Sequence, residues 1–484
     1  MSAPEEGRGA GAVLKNTVVL IAARVISRAT TLVLTLLIAA RLGAAGLGAF
    51  STAMAIWGAL TIVSEAGAIQ FLIRELSKDP SRTSSYVVHL SVVAAGLAVL
   101  VIGGVELIAR NVGYSPDIEA SVSIALLGIL PRVLNGIQEA AFIAHGRTEL
   151  ETSTTFVASV AHVGLSAYLL GHGYGVQAVI ASFVAGQYLV TLTYFVLISR
   201  FIVPLRLQFG WPLARRLIGE VKAFAATSAL GALFARPEVI ILSLVASPVQ
   251  VGYYGAALRV AEIWLFVPQV FMSNVYSVLS HSHHVGDGRF LPVQGRAIKY
   301  TLAFCLPLSA GLFAAASDII PALFGGGFGP SIDILRLLAL SLTSYSLIEV
   351  FWPSLFATGN QVSVLRAQLV MVALRLGGCA LAVTWLGALG AAVASAVNSA
   401  FHLALLVGAA RRHGGHAPIV ANGWRLGLAA VLTGGLTWLA TQALDVWLAI
   451  PIAAASYAVA AFVFRAFSPD ELRMLRGLMP SRGT

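Results

Sequence analysis

The sequence predicts an all-α polytopic membrane protein with fourteen transmembrane helices. Three observations predict it. Of 484 residues, 58% are hydrophobic, enough for roughly 14 spans of ~20 apolar residues each. Only 11% are charged, against ~25% in an ordinary soluble domain. The apolar residues come in unbroken runs such as 90–107, whereas the strands of a membrane barrel would alternate apolar and polar positions. Together these features exclude a soluble enzyme, a nucleic-acid-binding module, a disordered chain and a disulfide scaffold.

The helices follow in order, with Gly, Pro and charged residues marking their ends. A short polar N-terminal tail, 1–12, precedes helix 1 (13–40), whose apolar run is too long and wrongly flanked for a cleaved signal peptide. Helix 2 (48–73) stops at Arg74, Lys78 and Arg82. Helix 3 (85–109) stops at Arg110, and helix 4 (119–145) at Arg147. Helix 5 (153–171) closes on the Gly-rich joint 171–175, which opens helix 6 (175–199). A basic linker, 201–220, separates this first lobe (13–200) from a second (221–410). The second lobe opens with helix 7 (221–246), kinked by Pro237. Helix 8 (249–280) ends at His281, His283 and His284, which read as a solvated turn. Helix 9 (296–317) precedes the Gly/Pro joint 324–330, and helices 10 (332–357), 11 (362–386) and 12 (388–410) complete the lobe. Helices 13 (424–443) and 14 (446–466) form an appendix, 411–466, set off by the joint 414–418. In the tail, 467–484, Ser468, Pro469 and Glu471 have the form of a helix start. The leucines and arginines beyond them predict a short amphipathic helix on anionic lipid.

The basic residues test this layout. Of 31 Lys and Arg, 22 fall on the N-terminal segment, the even-numbered links and the C-terminal tail. Three, Arg41, Arg110 and Arg336, fall on the opposite side, and six lie inside spans. Because Lys and Arg are retained on the cytoplasmic side, both termini are expected there, and omitting any helix would spoil the alternation. The outer links are too short to hold a catalytic domain, so the chain is expected not to be an enzyme. Cys305 and Cys379 sit in apolar runs and read as packed thiols. No metal centre or cofactor is indicated, and no nucleotide-binding motif occurs.

The two lobes are weakly similar. Leu47-Gly48-Ala49 matches Val251-Gly252-Tyr253, Ala144-His145-Gly146 matches Ala357-Thr358-Gly359, and Gly175-Val176-Gln177 matches Gly390-Ala391-Ala392. The order is kept and the offset drifts slowly. Six helices per half give both halves one orientation, which predicts a pseudo-two-fold along the membrane normal.

The stretch Ile38 to Phe50, with Ala40-Arg41-Leu42-Gly43 and the spaced Gly46 and Gly48, resembles the joint between the first two helices of polysaccharide-biosynthesis flippases. Glu65-Ala66-Gly67 followed by Arg74-Glu75, and Val251-Gly252-Tyr253-Tyr254 and Leu323-Phe324-Gly325 in the second half, resemble further joints of that family. The chain is thus similar, over about 13–410, to Wzx-like oligosaccharide repeat-unit flippases of the multidrug/oligosaccharidyl-lipid/polysaccharide exporter superfamily. The resemblance implies movement of undecaprenyl-diphosphate-linked glycan units across a bacterial inner membrane, for O-antigen, capsule or exopolysaccharide assembly. It implies basic residues of helices 1, 2 and 8 around a central cavity. Membrane lipids, a polysaccharide polymerase and a chain-length regulator are the expected partners. A lipid II flippase and a drug/cation antiporter of the same superfamily are the alternatives.

Charges inside spans are costly, about 2.5–3.5 kcal/mol each on insertion scales, and mark function. Arg24 and Arg28 lie at i, i+4 on helix 1, and Arg259 and Glu262 at i, i+3 on helix 8. Counted from the outer helix ends, Arg28 is about 18 Å deep and Arg259 about 15 Å. Arg24, Arg28 and Arg259 are therefore expected to bind diphosphate, for which the guanidinium fork is suited. Glu65, Glu262 and Glu238 are candidates for ion coupling, with Glu65 alternatively neutralising Arg24. Arg132 with Glu139, and Glu349 with Arg375, are expected as structural pairs.

Overall fold

The computed structural model describes residues 6–65, 67–232, 236–285, 288–412, 418–468 and 471. Side chains are described from Ala29 onward, except at 223–232 and a few isolated positions. The described residues are helical nearly throughout, and the chain divides into two compact units, Met1–Gly255 and Ala256–Thr484.

The first unit holds α1 (Glu6–Glu65), α2 (Ala68–Lys78), α3 (Thr83–Ala109), α4 (Pro116–Leu127), α5 (Ile129–Ala144), α6 (Thr148–Gly171), α7 (Val176–Phe201), α8 (Trp211–Ala232), α9 (Pro237–Val245) and the first turns of α10 (Pro248–Val285). α1 is two helical arms joined at Gly43, whose φ of 64° and ψ of −165° lie where only glycine is comfortable. The second unit holds the remainder of α10, α11 (Phe290–Ala314), α12 (Ala316–Phe324), α13 (Ser331–Ala357), α14 (Gln361–Arg412), α15 (Ile419–Ala443) and α16 (Val446–Val463). Gly387, at φ 56° and ψ −132°, divides α14 into two arms at the joint expected between helices 11 and 12. Among the described residues, eleven helical segments are long and apolar enough to cross a membrane, and two of them contain these glycine breaks.

Four expected elements differ. Helix 2 is broken at Gly67, which adopts the left-handed conformation (φ 71°), and α2 carries the chain on to Lys78. Helix 4 is broken at Gly128 because Pro131, lacking an N–H, cannot close the helical bond to the Leu127 carbonyl. That carbonyl accepts instead from the Tyr188 hydroxyl at 3.2 Å. Helix 7 begins early, at Trp211, and restarts at Pro237 after Arg236 takes φ 56°. The residue before a proline is disfavoured in the right-handed helical region, and with Arg236 left-handed Pro237 opens a new helix rather than bending one. Finally, the link after helix 9 folds into α12 and a short 3₁₀ turn, Gly326–Phe328, with Phe324 and Phe328 rings 5.3 Å apart.

In lipid, helices associate through close packing and interhelical hydrogen bonds rather than through the hydrophobic effect. Both devices occur in the first unit. Asn135 donates to the Gln187 side chain at 3.1 Å and accepts from Thr191 at 2.6 Å, tying α5 to α7. Gly48 and Gly252 seat α1 against α10: a Cβ at Gly48 would collide with the Pro248 carbonyl, and one at Gly252 with the Ala44 carbonyl. The two contacts are reciprocal, each glycine meeting the residue four before the other. In the second unit, Phe351, Leu355, Leu302, Leu406 and Ala429 form the core of α11, α13, α14 and α15. Cys305 donates to Ser346 at 3.0 Å, and Cys379 is buried and in no disulfide.

Candidate functional site

The charged side chains within spans gather in separate places in the two units. In the first unit, Arg132 on α5 bridges two carboxylates. It donates to Glu139 at 2.8 Å, one face of the same helix, and lies 3.5 Å from Glu65 at the end of α1. The expected Arg132–Glu139 pair is therefore present, but as part of a triad. The triad exists because Gly67 ends the α1 arm at Glu65 and Gly136 clears space on α5: a Cβ at Gly136 would stand 3.3 Å from Glu65 Oε1 and 2.7 Å from Ile69 Cδ1. Glu65's described partner is thus Arg132, a contact between distant segments that no local spacing announces.

Glu238 is buried in the first turn of α9, with both it and Arg236 engaged in polar contacts. An acid there complements the positive end of the helix. The side chains of Arg24 and Arg28 lie outside the described residues. In the second unit, Arg259 donates to Glu262 at 3.1 Å, and both side chains are 16% exposed. A guanidinium held at one edge by a carboxylate one turn away is fixed in direction. Glu349 hydrogen-bonds Gln269 rather than pairing with Arg375, which reaches the Tyr345 hydroxyl at 3.5 Å. His281, His283 and His284 end α10, with the His283 ring edge-on to Phe290 at 5.5 Å. Among the described residues, no three His, Cys, Asp or Glu side chains group as metal ligands.

Two polar latches add contacts that the sequence reading did not contain: the anchoring of the linker on α3, and the pairing of the expected helix start at Ser468 and Glu471 with Lys299. The linker after α7 is pinned to α3: the Arg206 N–H donates to Ser84 Oγ at 2.9 Å, and the Gly210 N–H donates to His89 Nε2 at 2.9 Å. His89 Nδ1 meets the Ser85 carbonyl at 2.6 Å, and the ring stacks on Phe209. At the other end of the chain, Ser468 and Glu471 form a capping box, with Ser468 N–H to Glu471 at 2.7 Å and Glu471 N–H to Ser468 Oγ at 3.3 Å. Glu471 also pairs with Lys299 of α11 at 2.6 Å. The amphipathic helix expected beyond it lies outside the described residues.

The fold defines a class: a multi-pass helical membrane transporter. The structure of the lipid II flippase MurJ in an inward closed conformation superposes with a TM-score of 0.76 at 18% identity, covering 92% of this chain and 98% of that one. An inward-facing multidrug resistance MATE family transporter of the MOP superfamily gives 0.68 at 13% identity, covering 80% and 94%. The profile of the polysaccharide biosynthesis protein family matches residues 22–333, and that of the lipid II flippase MurJ matches 239–468. The chain belongs to the polysaccharide biosynthesis protein family. It is 24% identical over 377 residues, 76% of this chain and 77% of the other, to the probable low-salt glycan biosynthesis flippase Agl15 of Haloferax volcanii. The chain is thus similar to a glycan biosynthesis flippase in sequence and to a lipid II flippase in fold.

Proposed function

We propose that the protein moves undecaprenyl-diphosphate-linked oligosaccharide repeat units across a bacterial inner membrane, for O-antigen, capsule or exopolysaccharide assembly. Both termini are cytoplasmic, and the two halves alternate in access. Arg24, Arg28 and Arg259 hold the diphosphate while the prenyl chain stays in lipid. A polysaccharide polymerase and a chain-length regulator receive the product. Membrane potential or cation exchange drives the cycle, through Glu65, Glu262 or Glu238. The observation that carries the reading is Arg259: a guanidinium inside a span, oriented by Glu262 at 3.1 Å, in a chain whose family handles polysaccharide precursors.

The test is leaflet-resolved accessibility of a polyprenyl-diphosphate-linked oligosaccharide in proteoliposomes. Protein-dependent gain of accessibility, lost in Arg28→Ala and Arg259→Gln at unchanged protein level, supports the diphosphate site. Unimpaired flipping by both variants rules that site out. Absence of flipping under every imposed gradient moves the weight to a drug/cation antiporter. A second reading, lipid II as the cargo, is favoured by the MurJ match over 239–468. Complementation of a strain depleted of its lipid II flippase separates the two.

A further inference from the structure

The triad of Glu65, Arg132 and Glu139 does not balance. Two carboxylates share one guanidinium, leaving a formal charge of −1 between α1 and α5. The side chains are 19%, 27% and 21% exposed, so water screens this charge poorly. The geometry ranks the two acids. Glu139 holds Arg132 at 2.8 Å, whereas Glu65 stands off at 3.5 Å. Glu65 also closes a helical arm, where the carbonyl ends of the helix disfavour a carboxylate. Gly136 makes room on α5 for Glu65 Oε1 and the Ile69 side chain. An independent observation lies next to each acid. Ser64 Oγ and Gln138 Oε1, in residues 0% and 5% exposed, have no hydrogen-bond partner among the described residues. Orphaned buried polar atoms are rare and call for an explanation. A hydrated path reaching the triad would supply both.

We propose that Glu65 is the proton-carrying group that couples transport to the proton gradient, with Arg132 and Glu139 as its resident ion pair. This deepens the flippase reading above, on which it rests, by naming the driving ion and its site. Glu65 Oε takes a proton from the aqueous phase on one side and returns it on the other. With the proton bound the triad is neutral, and the attraction of Glu65 for Arg132, which ties α1 to α5, is lost. A metal cation fits less well, because the face shared by the two carboxylates already holds a guanidinium. Among the described residues, the charged and titratable groups around Glu65 are these. From α5 come Arg132 and Glu139. From α7 comes Tyr194, within electrostatic reach of Arg132 and hydrogen-bonded to Thr155 at 2.8 Å and to the Glu151 carbonyl of α6. Glu262, by contrast, is paired with Arg259 one helical turn away in the second unit.

Two readouts on the full chain test this. The first needs no substrate: infrared difference spectroscopy during acid titration follows the carbonyl stretch of a protonated carboxylic acid. The band should vanish in Glu65→Gln. In Glu139→Gln it should move to lower pH, because removing a like charge favours ionised Glu65. The second is flipping of a polyprenyl-diphosphate-linked oligosaccharide in proteoliposomes with a one-unit pH gradient. For one proton per cycle the gradient should shift the leaflet ratio by up to about tenfold. Glu65→Gln should abolish the shift while Glu65→Asp retains part of it. A band unchanged in Glu65→Gln overturns the assignment even if the substrate is wrong. Gradient-driven flipping that survives in Glu65→Gln overturns it while the flippase reading stands. No flipping by the wild type, with the band behaving as expected, fails the flippase reading alone.

Discussion

The reciprocal contact of Gly48 and Gly252 makes a quantitative prediction about a single methyl group. Gly48→Ala has two opposed effects. An alanine inside a helix is favoured over glycine by about 1 kcal/mol. Its Cβ, however, would run into the Pro248 carbonyl and stand 3.0 Å from the Gly252 nitrogen. These are backbone atoms, which cannot rotate away, so the cost falls at the upper end of the ~1–3 kcal/mol typical of overpacking. The net loss should be about 1–2 kcal/mol, read as a lower temperature at which detergent-solubilised protein ceases to be monodisperse. Gly252→Ala should behave alike, since its Cβ meets the Ala44 carbonyl. The double variant should lose much less than the sum, because helices already forced apart accept the second methyl, a coupling of ~0.5–3 kcal/mol. Gly255→Ala is the control. Its Cβ meets only Ser51 Oγ, at 2.6 Å, and that side chain can turn aside, so the change should be nearly neutral. Additive losses at 48 and 252, or a Gly48→Ala variant as stable as Gly255→Ala, would refute the reasoning.

Three further outcomes are expected. Gly43→Ala meets no atom within 4 Å but must adopt φ 64° and ψ −165°. It should cost about 1–3 kcal/mol through backbone strain alone, measurable by the same thermal assay and additive with Gly255→Ala. At Glu471, burial pushes the carboxyl up, but the hydrogen bond and charge of Lys299 and the Ser468 N–H outweigh it and hold it below the usual range. A lowered carboxyl contributes stability that is present above its unfolded value and lost as pH falls through the folded one. Protease sensitivity of the C-terminal tail should therefore rise in acid, and Lys299→Ala should make it high already at neutral pH. His89→Ala strands the half-buried Gly210 N–H, a loss of about 1 kcal/mol, the low end for an unsatisfied donor. Proteolytic nicking within 203–210 should increase severalfold, and no increase would show that Ser84 suffices to hold the linker.

Much of the helix plan was legible because apolar length is a property of local sequence. The arms of α14 meet at Gly387, where the apolar pattern placed a joint, and α13 and α16 start within a residue or two of expectation. What hydropathy cannot register is backbone conformation inside an apolar run. Gly128 interrupts a helix inside an apolar run, and the Leu127 carbonyl orphaned by Pro131 finds Tyr188 from another helix. The start of α8 was missed for the opposite reason. Arg215, Arg216, Glu220 and Lys222 made a helix read as a polar link, although Arg216 and Glu220 pair at 2.8 Å across one turn. The site divides the same way. Arg132–Glu139 and Arg259–Glu262 are pairs within one helical stretch and could be anticipated from spacing. The third member, Glu65, and the partners of Glu349 and Arg375 depend on which helices are neighbours.

The seat of α10 has a mechanical consequence. Gly252 is gripped backbone to backbone in the first turns of that helix. With no side chain between the two backbones at this seat, nothing there can change rotamer to absorb a displacement. The spacing of the two helices at that point is set by peptide carbonyls, whose positions are fixed by the helices themselves.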